Sequence, residues 1–199
     1  MGRGMRPDET VRARPVLTTD RVVVAWVEAQ PVVRRAVVAA TVTAAVLGSA
    51  LPVPYPVRWS VAVVGAVLAL AALVDVREHK LPNRLLGAGM VVVFAGVLST
   101  ATSANLMSAI WGMALAGGLM LIVRVARGVG MGDVKMAAVV GASTGAAAVV
   151  VAAPLAIAIA ALVGAMYGVL ASRQRLPLGP ALWAGWAISL AAFASGWLS

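Results

Sequence analysis

Cysteine is absent from the 199 residues, and histidine occurs once, at His79. The first absence excludes disulfides, thiolate zinc sites, iron–sulfur clusters and a cysteine nucleophile. The second excludes clusters of histidine ligands and a Ser-His-Asp triad. Charge is scarce as well: 12% of residues are Asp, Glu, Lys or Arg, against about a quarter in a soluble domain. Acids are the scarcest, with 7 in the whole chain. No metal site and no cofactor site is legible, and the expected chemistry is one that needs neither.

What the chain has instead is apolar bulk. Hydrophobic residues make up 62% of it, and its mean hydropathy is +0.97. Apolar runs of roughly 17–20 residues recur, the length that crosses a hydrocarbon core about 30 Å thick. The expected class is all-α, a polytopic transmembrane helical bundle set in the lipid bilayer. The runs predict helices at about 36–51, 59–76, 85–100, 106–123, 135–151, 155–171 and 179–197. Pro52, Pro54 and Pro56 end the first, and Pro154 divides the long 135–171 run. Transmembrane helices also tolerate a proline, so six spans is the competing count. Gly and Ala are abundant in the spans, which suits close backbone approach in lipid and equally suits a composition bias.

The basic residues orient this bundle. With the N-terminus inside, Arg77, Lys80, Arg84, Arg124, Arg127, Lys135, Arg173 and Arg175 join the arginines of residues 1–35 on the cytosolic side. Arg58 alone lies outside. Cytosolic loops retain Lys and Arg, so the asymmetry fixes the orientation. It also reads the net charge of +9 as a membrane face rather than a nucleic-acid footprint. Residues 1–35 are expected as a basic cytosolic tail without the apolar core of a secretory signal, and residues 36–199 as the membrane-embedded domain. Within the tail, RVVVAWVEA fits either a segment lying on the membrane surface or a short strand.

Beyond the tail the acids are Asp75, Glu78 and Asp133. Asp75 closes the second span, in ALAALVDVREHKLPNRLL, and Asp133 opens the fifth, in GVGMGDVKM. Both fall at the cytosolic edge, on separate helices able to pack together. Acids at membrane depth are costly and mark proton paths, ion sites or catalysis. The plainer alternative pairs Asp75 with Arg77 or Arg124, and Asp133 with Lys135. Gly128, Gly130 and Gly132 permit positive φ and close approach, which would bring Asp133 to a partner carboxylate and leave room for an extended peptide.

GVGMGDVKM resembles the GxGD motif of type IV prepilin peptidases, the bacterial aspartic membrane proteases, in which an apolar helix follows as MAAVVGA does here. DVREHKLPNRL (75–85) is similar to that family's first catalytic motif, an Asp followed by a basic residue and a Pro-Asn pair. RLPLGPALWAG (175–185) resembles a third stretch, a Pro-x-Gly-Pro loop entering the final helix. The resemblance covers nearly all of residues 36–199. It implies that Asp75 and Asp133 are the catalytic pair, with Gly130, Gly132, Lys135, Arg77, Pro82 and Asn83 shaping the site. It further implies an aspartic endopeptidase of the bacterial inner membrane. The substrate would be a pilin-like precursor, cut after a glycine between its basic leader and its hydrophobic helix. Pilus or secretion assembly machinery would be the partner, and no nucleic acid. Longer bacterial members carry an N-terminal region with paired cysteines and also N-methylate the product. This chain has no cysteine and a shorter N-terminal stretch, so the expected kind is the short form serving Flp or Tad-type pili, with peptidase activity only.

An aspartic pair works by sharing one proton, because like charges a few Å apart cannot both ionise. Helix ends suggest the roles: Asp133, before a helix and near Lys135, as the ionised base, and Asp75, at a helix C-terminus, as the acid. Pro82 and Asn83 are expected to turn the chain into the third helix. Arg77 and Lys135 either tune the pair or reach lipid phosphates. His79 reads as a solvated loop residue, Gly179 and Pro180 as shaping a loop, and Trp59, Trp183, Trp186 and Trp197 as interfacial anchors or packing residues. Other classes stay open: an intramembrane protease of other membrane proteins, a small ion-coupled carrier, and a catalytically dead assembly factor.

Overall fold

The computed structural model describes residues 31–100, 102–126, 129–147, 150–171 and 177–197, with only the backbone described at 31–34 and 167–171. The tail up to residue 30, with its RVVVAWVEA stretch, and Arg127, Gly128, Arg173 and Arg175 lie outside the described residues. Among the described residues the chain forms seven α-helices and no strand. They are α1 Pro31–Ala50, α2 Tyr55–Glu78, α3 Asn83–Leu98, α4 Ser103–Val125, α5 Met131–Ala147, α6 Ala152–Ala171 and α7 Gly179–Ala194. Each overlaps one expected segment.

Pro154 is not itself the break in the long run. α6 has already begun at Ala152, so Pro154 sits in its first turn, where the missing N–H leaves no helical bond unmade. Pro56 and Pro180 occupy first turns for the same reason. The boundary difference that bears on the site is at α5, which starts at Met131 rather than 135. Asp133 therefore lies inside the first turn of a helix instead of ahead of it.

Apolar side chains point outward as well as inward. Met107, Trp111, Leu115, Leu119 and Ile122 make an exposed stripe along α4. Lipid is the solvent that such a face suits, since it offers no polar group to prefer. α2 and α4 are each long and apolar enough to cross a bilayer, and α1, α3, α6 and α7 contain shorter apolar stretches. The architecture is an all-helical membrane bundle. Arg58 and Asp75 lie toward opposite ends of α2, about 25 Å apart at roughly 1.5 Å per residue. Arg77, Lys80, Arg84, Arg124 and Lys135 share the Asp75 end.

α2 and α5 are the inner helices. α2 packs on α1, α3, α5 and α7, and α5 packs on α2, α3, α4, α6 and α7. The tightest of these contacts is α4 with α5. Gly112 faces Gly141 backbone to backbone, and a Cβ on either would overlap the other's carbonyl oxygen. No hydrophobic effect draws helices together inside lipid, so close backbone packing of this kind does it.

Two indoles fix α7. Trp186 is fully buried and donates its Nε1–H to Ser143 Oγ on α5 at 3.1 Å. Trp183 donates to the Gly65 carbonyl on α2, also at 3.1 Å. These two bonds set the height at which the N-terminus of α7 meets α2. Trp59 and Trp197 are exposed, as interfacial anchors are.

Candidate active site

α2 is closed by His79, whose backbone is left-handed (φ 49°, ψ 35°) and whose N–H donates to the Asp75 carbonyl at 2.9 Å. A side-chain-bearing residue is uncommon in that conformation. The reversal opens a short link, and Pro82 (φ −73°) feeds it directly into α3 at Asn83. The stretch DVREHKLPN is thus a helix end, a link and a helix start. It leaves Asp75 one turn inside the end of the bundle.

Asp75 is buried, with 6% of its surface exposed. A buried carboxylate needs donors. One comes from 104 positions away: the Gly179 N–H donates to Asp75 Oδ2 at 2.8 Å. Gly179 is the first residue of α7, so the positive end of that helix faces the carboxylate. A Cβ at Gly179 would stand 3.0 Å from Ala72 Cα and 3.0 Å from Asp75 Oδ2, so any larger residue would press on both. Gly179 and Pro180 accordingly start the helix, at the position expected for the last span, rather than shaping a loop ahead of it.

The Gly-x-Gly-Asp stretch is also a helix start. Gly130 immediately precedes α5, and Asp133 Oδ2 accepts its N–H at 2.9 Å. That is the back-bond of a capping box. Neither Gly130 nor Gly132 has a positive φ, so the backbone freedom expected of them is not used. Gly132 supplies closeness instead: a Cβ there would lie 2.9 Å from Leu81 Cβ. The link between α2 and α3 therefore rests on the first turn of α5. A second tie joins the same elements, where Lys135 Nζ donates to Asn83 Oδ1 at 2.9 Å.

These ties gather Asp75, Asn83, Gly130, Gly132, Asp133 and Lys135 around one cavity of about 370 Å³. Ligand sites run from roughly 300 to 1,000 Å³. Arg77 and Pro82 are not in its wall: Arg77 is exposed on the last turn of α2, and Pro82 sets the start of α3. Sequence reasoning passed over Lys80, Leu81 and Met131, which complete the wall together with His79. Their adjacency to the two acids was the only signal available.

Asp133 stands ahead of the apolar stretch of α5. Burial pushes its carboxyl above the ordinary value of 3.8, the Gly130 N–H opposes the rise, and the charge of Asp75 adds to it. The helix end had suggested the opposite direction. Lost hydration outweighs the dipole and the hydrogen bond. Among the described residues no three His, Cys, Asp or Glu side chains converge as a metal-ligand set.

Fold and cavity together define a helical membrane protein with a carboxyl pair at one end of its bundle. The model of the type IV leader peptidase family matches residues 62–169, more than half of the chain and a span that includes Asp75 and Asp133. The chain belongs to that family and is a peptidase. No curated protein and no solved structure matches it.

Proposed function

We propose that the protein is an aspartic endopeptidase of the bacterial inner membrane, with Asp75 and Asp133 as its catalytic pair. Its substrates are pilin-like precursors, from which it removes the basic leader after a glycine at the cytosolic face. The observation that carries this reading is that two carboxyls from different helices line one cavity. Family membership supplies the substrate class. Residues 36–199 form the peptidase domain, residues 1–35 a cytosolic tail, and the cleaved product passes to pilus or secretion assembly machinery.

In this mechanism Asp75 is the base. The Gly179 N–H and the start of α7 favour its charge. Asp133, half-buried in the wall of the same cavity, keeps the shared proton. Asp75 takes a proton from water, whose oxygen attacks the scissile carbonyl carbon, while Asp133 gives its proton to the carbonyl oxygen. The C–N bond then breaks. The leaving nitrogen takes the proton held by Asp75, and a hydroxyl of the tetrahedral carbon returns one to Asp133. The leader's new carboxylic acid finally passes its proton to the released amine, leaving a carboxylate and an ammonium.

Depth supports the same reading. A precursor with a basic leader and an apolar helix keeps the leader in the cytosol and the helix in lipid. Its cleavage glycine then reaches the end of the bundle that carries Asp75 together with Arg77, Lys80, Arg84, Arg124 and Lys135. Co-expression with a panel of pilin-like precursors tests the proposal by leader removal on a gel. Wild type is expected to cleave, and Asp75→Asn and Asp133→Asn to leave the precursor intact. Cleavage by either variant would remove the pair from the chemistry.

A further inference from the structure

We propose that Lys135, oriented by Asn83, receives the carboxylate that hydrolysis creates on the leader. The proposal rests on the peptidase reading above. Hydrolysis turns a neutral amide into two ions: the C–N bond breaks, a C–O bond forms from water, and the products are a carboxylate and an ammonium. The carboxylate appears between two aspartates that already carry one negative charge. Like charges at that range repel strongly in a partly desolvated site. A product held there needs a cation, and so does its release along a defined path.

The cavity wall offers Lys80, His79 and Lys135. His79 belongs to the left-handed cap of α2, and Lys80 is exposed on the link that follows it. Lys135 is exposed too, and differs from both in being tied to a neighbouring element. Its Nζ is already held by Asn83 Oδ1 at 2.9 Å. An ammonium has three donors, so the remaining donors stay available after that bond. A side chain fixed beforehand loses less freedom when it meets a ligand. Lys135 also shares the first turns of α5 with Asp133, so cation and reacting carboxyl move as one rigid element. The same positive wall keeps the leader's basic side chains out of the cavity and directs them toward solvent.

Two synthetic leader-side peptides ending at the cleavage glycine test this, one with a free C-terminal carboxylate and one with a C-terminal amide. Each is used to inhibit purified wild-type enzyme cleaving a precursor peptide at neutral pH. The acid is expected to inhibit about tenfold more tightly than the amide, the size of one charge-assisted hydrogen bond. Lys135→Met should bring the ratio to one or below, because the aspartate charge then repels the acid unopposed. Lys135→Arg should keep part of the preference, and Asn83→Ala should reduce it. Where a variant no longer turns over, direct binding of fluorescent versions of both peptides reads the same ratio. A wild-type ratio of one or less, or a ratio undiminished in Lys135→Met, overturns the proposal. So does a preference that vanishes in Lys80→Met and persists in Lys135→Met. Failure of wild type to cleave any precursor overturns the peptidase reading instead, so the two failures are distinguishable.

Discussion

Gly179 and Asp75 meet through an N–H···O bond of 2.8 Å although 104 positions separate them. The contact needs α7 at one particular height, which the Trp183 and Trp186 bonds to Gly65 and Ser143 establish. It also needs a residue with no side chain. Ala72 Cα and Asp75 Oδ2 already stand 3.0 Å from where a Cβ would be.

Gly179→Ala should therefore separate α7 from Asp75 without unfolding the bundle. Leader cleavage is expected to fall about tenfold or more in kcat/KM, the loss of one charge-assisted bond to the proposed base. Circular dichroism should show unchanged helix content. An undiminished rate in this variant would show that the bond has no part in catalysis.

Asp133 supplies a prediction about pH. Its carboxyl titrates above 3.8 in the folded protein, raised by burial first and by the charge of Asp75 as well. A raised acid stabilises the fold while protonated, and that contribution is lost as pH rises through the folded-state pKa. Asp133→Asn should thus unfold at higher temperature than wild type at neutral pH, with the gain shrinking as the medium is acidified. In Asp75→Asn the Coulomb contribution is gone, and isotope-edited infrared titration should show Asp133 ionising at a lower pH than in wild type. A shift upward would contradict the arrangement of the pair.

The link between α2 and α3 rests on Gly132. An added Cβ would stand 2.9 Å from Leu81 Cβ, so Gly132→Ala should lift the link and open the cavity. Removing the obstacle from the other side should relieve it: Gly132→Ala is expected to cost less activity in a Leu81→Gly background than in wild type. A double-mutant cycle on kcat/KM measures the coupling, and strictly additive effects would argue that the two residues do not touch.

Trp186→Phe keeps most of the buried ring and removes the Nε1–H that Ser143 accepts. Stability in detergent is expected to drop by about 1 kcal/mol, the net worth of one buried hydrogen bond. Trp186→Ala should cost more, roughly 3–5 kcal/mol, because it leaves a cavity at the centre of the bundle. Chemical unfolding followed by fluorescence of the remaining tryptophans gives both values.

Much of this fold is written locally. Apolar runs and the prolines at 52, 54, 56 and 154 mark seven segments because each span must satisfy its own backbone in lipid. The acids stand out against so apolar a chain, and the motifs around Asp75 and Asp133 mark a pair that the bundle does gather at one cavity. What resisted reading was whatever depends on distance and burial. No local pattern announces that Gly179 serves Asp75, or that Lys135 turns to Asn83. The charge preference of Asp133 went unread for the same reason: a helix start is visible in sequence, whereas lost hydration follows from neighbours that only the packed bundle supplies. His79 shows the limit from another side, since its left-handed backbone is imposed by the end of α2 and not by the residue itself.

The glycine contact between α4 and α5 reaches beyond those two helices. Backbones pressed together at Gly112 and Gly141 leave no seam into which a foreign helix could wedge. Asp133 therefore rides on a doubled strut, its helix braced along α4 where a lone helix would be free to bend.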